Sequence, residues 1–311
     1  MERGKRKDIF EKIKGISIPR NVKLLFSIII LAIVFNLIGF EKIIGSLKDF
    51  NFLVLFWMIL IFALILIINA INLFILTKNI GDVKFSEVFR YSYVAWAIGF
   101  VLPGKLGDFS YGSMLKKNSF SLGEGIAIVT MDKALTLLII LAISTIGILF
   151  LTTSELNSTV IFLILLWVGI IVASLEFGLG LAEKYLPEKI SQQFIKFSKP
   201  LKKVYSNKVS LLLNFFLTLL RIALQTLVFY FILNGFGLGI DFFALIFIVT
   251  IGTIVSLIPI TFSGLGFREG MFIYLLGLQG IPIEIAGSAA LISVLFDYSI
   301  AGLIILKESM K

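Results

Sequence analysis

Residues 103–108 read Pro103-Gly104-Lys105-Leu106-Gly107-Asp108, and residues 259–269 read Pro259-Ile260-Thr261-Phe262-Ser263-Gly264-Leu265-Gly266-Phe267-Arg268-Glu269. Each stretch closes a long apolar segment and breaks the helix with Pro and Gly. Each then sets charged side chains where the hydropathy calls for lipid. The pairs Leu106-Gly107 and Leu265-Gly266 stand about half a chain length apart. The expectation is one structural unit used twice in a membrane protein.

The composition agrees. The 311 residues are 59% hydrophobic with a mean hydropathy of +1.05, and a soluble domain of that length needs far more polar surface. Several continuous apolar runs are long enough to cross a hydrocarbon core of roughly 30 Å at about 1.5 Å per residue. A transmembrane β-barrel would alternate over short segments instead. The fold class is therefore an all-α polytopic integral membrane protein, with about six full spans plus two re-entrant hairpins. There is no cysteine and no histidine. That excludes disulfides, thiolate nucleophiles, Cys or His zinc sites, haem ligation by His and His acid–base catalysis. No Walker loop, metal motif or nucleophile elbow is present, and no cofactor is expected. The formal net charge of +9 sits in tails and loops. That is the pattern of cytoplasmic loops over an anionic membrane rather than of nucleic-acid binding.

Working outward from the two motifs, residues 1–23 form a basic cytoplasmic tail and 24–311 a single membrane domain. Spans are expected at about 24–40, 52–76, 126–151, 158–182, 210–234 and 284–306. The loops at 152–158 and 235–241 hold no basic residue, whereas the tail and the 183–208 loop are rich in them. The positive-inside rule puts the tail and the 183–208 loop in the cytoplasm. Counting spans from either side then places 77–90 and 111–124 inside as well. Residues 86–122 must enter and return, as a hairpin with Pro103 and Gly104 at its tip. Three full spans separate it from the second motif, so a hairpin at 242–281 enters from the opposite face, although 242–260 alone is long enough to span. Opposed hairpins make inverted repeats, repeat 1 about 52–151 and repeat 2 about 210–306, with a ligand site near the midplane. Both termini then lie in the cytoplasm. Within 183–208, Ile190, Phe194, Phe197, Leu201 and Val204 share a helical face. This reads as an interfacial helix bent at Pro200, or as an ordinary connector.

The broken tips (Pro103, Gly104 and Gly107; Pro259, Gly264 and Gly266) must be buried in protein or meet water, because non-helical backbone facing lipid leaves polar groups unpaired. Each tip starts a new half-helix whose free N–H groups favour an anion; alternatively, Asp108 and Glu269 merely cap those starts. Lys105, Asp108, Asp132, Lys133, Arg221, Arg268, Glu269 and Asp297 lie in or beside apolar segments. A charge at a helix centre there costs roughly 2.5–3.5 kcal/mol on insertion scales. Either these residues pair structurally, for instance Arg221 with Asp297 or Glu269, or they line a polar cavity for a charged head group. Asn214, Thr218, Arg221 and Gln225 recur at helical spacing as one polar stripe, which a path or cavity requires and a single pair does not. Asn69 and Asn72 point the same way, with interhelical hydrogen bonding as their expected role.

These motifs resemble the lysylphosphatidylglycerol synthase membrane-domain family, also called the flippase-like domain. The family's first motif is Pro-Gly, a basic residue, an apolar residue, Gly and an acid, which Pro103 to Asp108 fit. Its next span opens with an acidic–Arg pair, fitted by Asp132-Lys133 with Lys in place of Arg. Its second motif is fitted by Pro259, Gly264-Leu265-Gly266 and Glu269. The resemblance covers nearly the whole chain after the tail. Where the family often has a further Asp three residues after the Arg, this chain has Thr136. No soluble aminoacyl-transferase domain accompanies these motifs, so lipid aminoacylation is not expected. The resemblance implies a lipid translocator of the cell membrane or a membrane partner of a lipid-linked sugar pathway; the substrate does not carry over, and the first reading, a flippase and not an enzyme, is the one expected. A head group would cross between the hairpins, with Lys105, Lys133, Arg221 and Arg268 on its phosphate. Asp108, Asp132, Glu269 and Asp297 would balance charge or bind a cationic head group or proton. The lipid would be polyprenyl-phosphate-linked or an amino-lipid. The alternatives are a membrane partner or scaffold of a lipid-linked glycosyltransferase and, with Asp and Glu as its only strong bases, a membrane enzyme on lipid-linked substrates.

Overall fold

The computed structural model describes residues 39–102, 107–152, 188–257 and 264–310. The tail 1–23, the expected span 158–182, all of the expected span 24–40 but its last two residues, and Pro103, Gly104, Lys105 and Pro259 lie outside the described residues. The described residues form helices and no strand, in the order α1 (Phe40–Leu47), α2 (Val54–Lys78), α3 (Phe85–Val101), α4 (Ser110–Met114), a 3-10 turn (Leu115–Asn118), α5 (Leu122–Thr152), α6 (Glu188–Ser206), α7 (Lys208–Gly235), α8 (Phe242–Ser256), α9 (Phe267–Leu278) and α10 (Ile283–Ser309). The chain is a polytopic membrane protein. Helices α2, α5, α7 and α10 are long and apolar enough to cross a bilayer. The short helix α1 fills a stretch for which the sequence showed no element.

The hairpin helices are shorter. At about 1.5 Å per residue, the 17 residues of α3 and the 15 of α8 fall short of a hydrocarbon core of roughly 30 Å. The 12 residues of α9 do so by more. The first hairpin returns to where it started. Tyr91, early in α3, donates to Asn118 Oδ1 at the end of the return limb (3.0 Å), and Phe120 lies under Gly81. A methyl group on Gly107 would meet the backbone of Ile98 and Gly99, and one on Gly112 would stand 2.6 Å from the Gly125 carbonyl carbon. Glycine at these places lets the return limb lie directly on α3 and α5. In lipid, where tails are as apolar as side chains, such close backbone packing is a main source of helix association. Tyr111, fully buried, seats the limb through a hydroxyl contact to Thr77 (2.8 Å).

Two ends of the bundle can be told apart. At one end, Asn207 donates to Asn79 (2.7 Å), Lys203 reaches the Ile80 carbonyl (3.4 Å), and Arg90 and Tyr93 both donate to Glu308. This end collects the end of α2, the start of α3, the end of α6, the start of α7 and the end of α10. At the other end, the Asn51 N–H donates to the Gly235 carbonyl (2.8 Å), Phe50 meets Phe236 with ring centroids 4.9 Å apart, and Ser46 bonds Ser288. Here α1, the end of α7, the start of α8 and the start of α10 come together. The first hairpin thus enters from one end and the second from the other. The first end carries Lys78, Lys84, Arg90, Lys116, Lys117, Lys203, Lys208 and Lys307. The second carries Lys42 and Lys48 among Glu41, Asp49, Asp241 and Glu284.

Helix α2 packs along α7, α3 against α10, and α8 against α5. Each hairpin therefore leans on the long helix of the other half of the chain. Helix α6 is more than a surface helix. It continues through Pro200, and its Leu201 and Val204 are buried in one core with α5 residues Ala127, Ile128 and Met131.

Candidate functional site

Among the described residues, the charges within the bundle gather into two ion clusters and one separate arginine. In the first cluster Lys133 of α5 lies 2.8 Å from Asp108 and 3.6 Å from Asp132. Asp108 comes from the first hairpin, just past the break, and Asp132 is the preceding residue of α5, fully buried. In the second cluster Arg268 lies 2.8 Å from Glu269 and 3.5 Å from Asp297. Here the cation and one acid come from the second hairpin and the other acid from α10. In each cluster one cation bridges an acid of a broken hairpin and an acid of a long helix.

The capping alternative holds for one motif and not for the other. Glu269 accepts the Gly266 N–H at 2.6 Å and so caps α9, while Gly264 and Gly266 supply the positive φ values (80° and 90°) that bend the chain into it. Among the described residues Asp108 shows no such cap, and its carboxylate pairs with Lys133. The expected pairing of Arg221 with Asp297 or Glu269 is not what forms, because both acids face Arg268. Arg221 instead donates to Asn69 Oδ1 and to Thr136 Oγ1 (2.8 Å). The interhelical role expected for Asn69 and Asn72 is therefore seen, and Asn72 donates to Thr218 (3.2 Å).

The polar stripe on α7 divides. Asn214 and Thr218 are fully buried. Asn214 donates to Asp132 Oδ1 (3.2 Å) and accepts from Thr218 (3.5 Å), so this half braces the first cluster and does not line a path. Further along, Arg221 and Gln225 face a cavity of about 310 Å³. Asp108, Lys133, Asn69, Thr136, Thr250 and Thr253 supply its other polar lining, and the rest includes Ile65, Leu66, Leu137, Ile140, Ile222 and Leu257. A second cavity of about 120 Å³ adjoins it, bordered by Arg268, Asp297, Ser293 and the rings of Phe62, Trp96, Phe100, Phe229, Phe272 and Phe296. Ile65, Trp96, Gln225, Val249 and Thr253 border both.

The structure thus brings Asp108, Lys133, Arg221 and Gln225 to the larger cavity, with Asp132 behind Lys133, and Arg268 and Asp297 to the smaller, with Glu269 behind Arg268. Sequence reasoning missed Thr136, Trp96 and Thr253 as lining residues. Thr136 had a signal, since it lies one turn beyond Lys133 on the same face of α5. Trp96 and Thr253 had none, because an aromatic or a threonine in an apolar helix is ordinary. Among the described residues no group of three or more acidic side chains is placed to hold a metal ion.

The family model described as the lysylphosphatidylglycerol synthase TM region matches residues 21–305. The UPF0104 membrane protein MJ1078 of Methanocaldococcus jannaschii is 25% identical over 213 residues, which is 65% of this chain and 88% of that protein.

Proposed function

This chain belongs to the family of the lysylphosphatidylglycerol synthase TM region, and on that premise we propose that it is a translocator that moves the charged or phosphate-bearing head group of a membrane lipid between leaflets. The observation that carries the reading is the larger cavity. It lies where the first broken hairpin meets α2, α5, α7 and α8 and combines fixed charges with apolar walls. A head group needs the charges, and the first methylenes of its tails need the walls. The adjoining cavity, entered past Trp96, Gln225 and Thr253, continues toward the second hairpin. In this reading the two halves are inverted repeats and each hairpin guards one leaflet. The lysine-rich end of the bundle faces the cytoplasm of a cell-membrane protein. The clusters at Lys133 and Arg268 hold the hairpin tips and balance the passing charge.

The test is lipid exchange in vesicles reconstituted with the purified protein, using tail-labelled lipids and a quencher confined to the outside. Exchange above that of empty vesicles is expected. Thr253→Trp, which fills the border shared by the two cavities, should stop it. Exchange no faster than in empty vesicles, or undiminished in Thr253→Trp, would overturn the reading.

A further inference from the structure

The translocator reading leaves the class of head group open. Resting on that reading, we infer that the smaller cavity takes the uncharged, hydroxyl-bearing end of the head group, a polyol, hydrogen-bonded by Gln225, Ser293 and the indole N–H of Trp96. The polar side chains around the two cavities differ in what they already hold. Lys133 and Arg268 are paired with carboxylates. Arg221 is held by Asn69 and Thr136. Thr250 and Thr253 donate to carbonyls of their own helix. Among the described residues, Gln225, Ser293 and Trp96 make no hydrogen bond through their side chains, and all three border the smaller cavity.

Gln225 is exposed although it stands near the middle of a membrane-crossing helix. The lipid-facing stripe of α7 runs through Leu212, Phe216 and Leu220. At about 100° per residue, Gln225 falls on the side opposite Phe216, so its amide opens on the cavities and not on the lipid tails. An amide, a hydroxyl and an indole N–H together offer a ligand both donors and acceptors. A hydroxyl group needs such partners to leave water at little cost. A charged group fares worse there, whatever its sign. Arg268 and Asp297 both border the cavity, so a cation meets a guanidinium and an anion meets a carboxylate. Much of the remaining wall is aromatic, with Phe62, Phe100 and Phe229 among its rings. Ring faces are negative and suit C–H groups whose carbons carry hydroxyl oxygen. A plain alkyl end would suit the rings and leave the three polar groups unpaired. A polyol satisfies both.

The test compares two lipids that differ in their hydroxyls alone. Phosphatidylglycerol and phosphatidylpropanol carry the same phosphate and the same charge. Competitive retention of the tail-labelled pair is measured on the full chain in mild detergent, with thermal midpoints confirming that each variant is folded. The wild type should retain phosphatidylglycerol about tenfold better, the effect of one or two hydrogen bonds. Gln225→Leu and Ser293→Ala should each lower that ratio about threefold or more, and where one of them fails to fold the other decides. Equal retention of the two lipids by the wild type overturns the inference, as does a ratio unchanged in the folded variants. Free glycerol is then added as a competitor. Displacement by it gives the site to a soluble polyol and overturns its assignment to a lipid, and resistance to it supports the lipid. Equal retention of the two lipids together with their exchange in vesicles sinks the polyol site and leaves translocation standing. A ratio that falls in the variants, without any vesicle exchange, does the reverse.

Discussion

Replacing Glu269 by Gln isolates what holds the second hairpin. Glu269 is 2% exposed. One carboxylate oxygen accepts the Gly266 N–H at 2.6 Å, and the other accepts Arg268 Nε–H at 2.8 Å. Gln offers one oxygen and one NH2 group. Whichever way it turns, one of the two donors meets another donor. A hydrogen bond involving a charged group contributes about 1.5–3 kcal/mol. Arg268 keeps Asp297 at 3.5 Å, so the lower part of that range applies, about 2 kcal/mol. For a chain of 311 residues each kcal/mol corresponds to roughly 1.5 °C. The apparent midpoint in detergent should therefore fall by about 3 °C. In an Arg268→Gln background the competing donor of the guanidinium is gone, and the amide introduced by Glu269→Gln can keep its oxygen on the Gly266 N–H. There the same change should cost under about 1 kcal/mol, and the double-mutant cycle measures the difference. A shift below about 1 °C, or equal shifts in both backgrounds, refutes this account of the cap and the ion pair.

Three further outcomes are expected. Gly112→Ala places a methyl 2.6 Å from the Gly125 carbonyl carbon, where carbon contacts prefer about 3.5–4.0 Å. The limb must lift from α5 at about 1–3 kcal/mol, and an unchanged thermal midpoint would count against the packing described. Gly264→Ala imposes a side chain at φ 80° against Ser256, with a cost of about 1–3 kcal/mol read from the same melt and a loss of vesicle exchange. The chain has no cysteine, so single cysteines report sidedness. Lys48→Cys and Gly239→Cys should react with an impermeant maleimide from outside the cell and Lys116→Cys should not, and the reverse pattern would invert the topology.

The parts of the fold that depend on period and on breaks could be read from the residues in order. The long helices follow from apolar runs, and the hairpins from Pro and Gly beside misplaced charges. The opposed entry of the two hairpins followed from counting spans between them, and the starts of α3 and α8 fall at opposite ends of the bundle. The pairing of charges was not legible. Helical spacing says which face of α7 carries Arg221, but not that Asn69 and Thr136 lie opposite it. Asp108 and Glu269 occupy matching places in the two motifs, yet one pairs with a lysine of the next long helix and the other caps its own. Asn214 and Thr218 share a stripe with Arg221 and are nonetheless sealed, because Asn72 and Asp132 approach from other helices. Such choices depend on which helices meet, and this is settled by contacts between residues far apart in the chain.

The packing of α3 on α10 has a consequence for how the protein is made. Synthesis runs from the amino end, and domains generally form in that order. Helix α3 and its return limb are produced early, but the face of α3 that carries Arg90 and Tyr93 finds Glu308 only when α10 arrives. Until then the first hairpin has half a seat. A ribosome stalled before α10 would leave that face open to a chaperone or protease, and the last turn of α10 would act as the latch that ends this exposure.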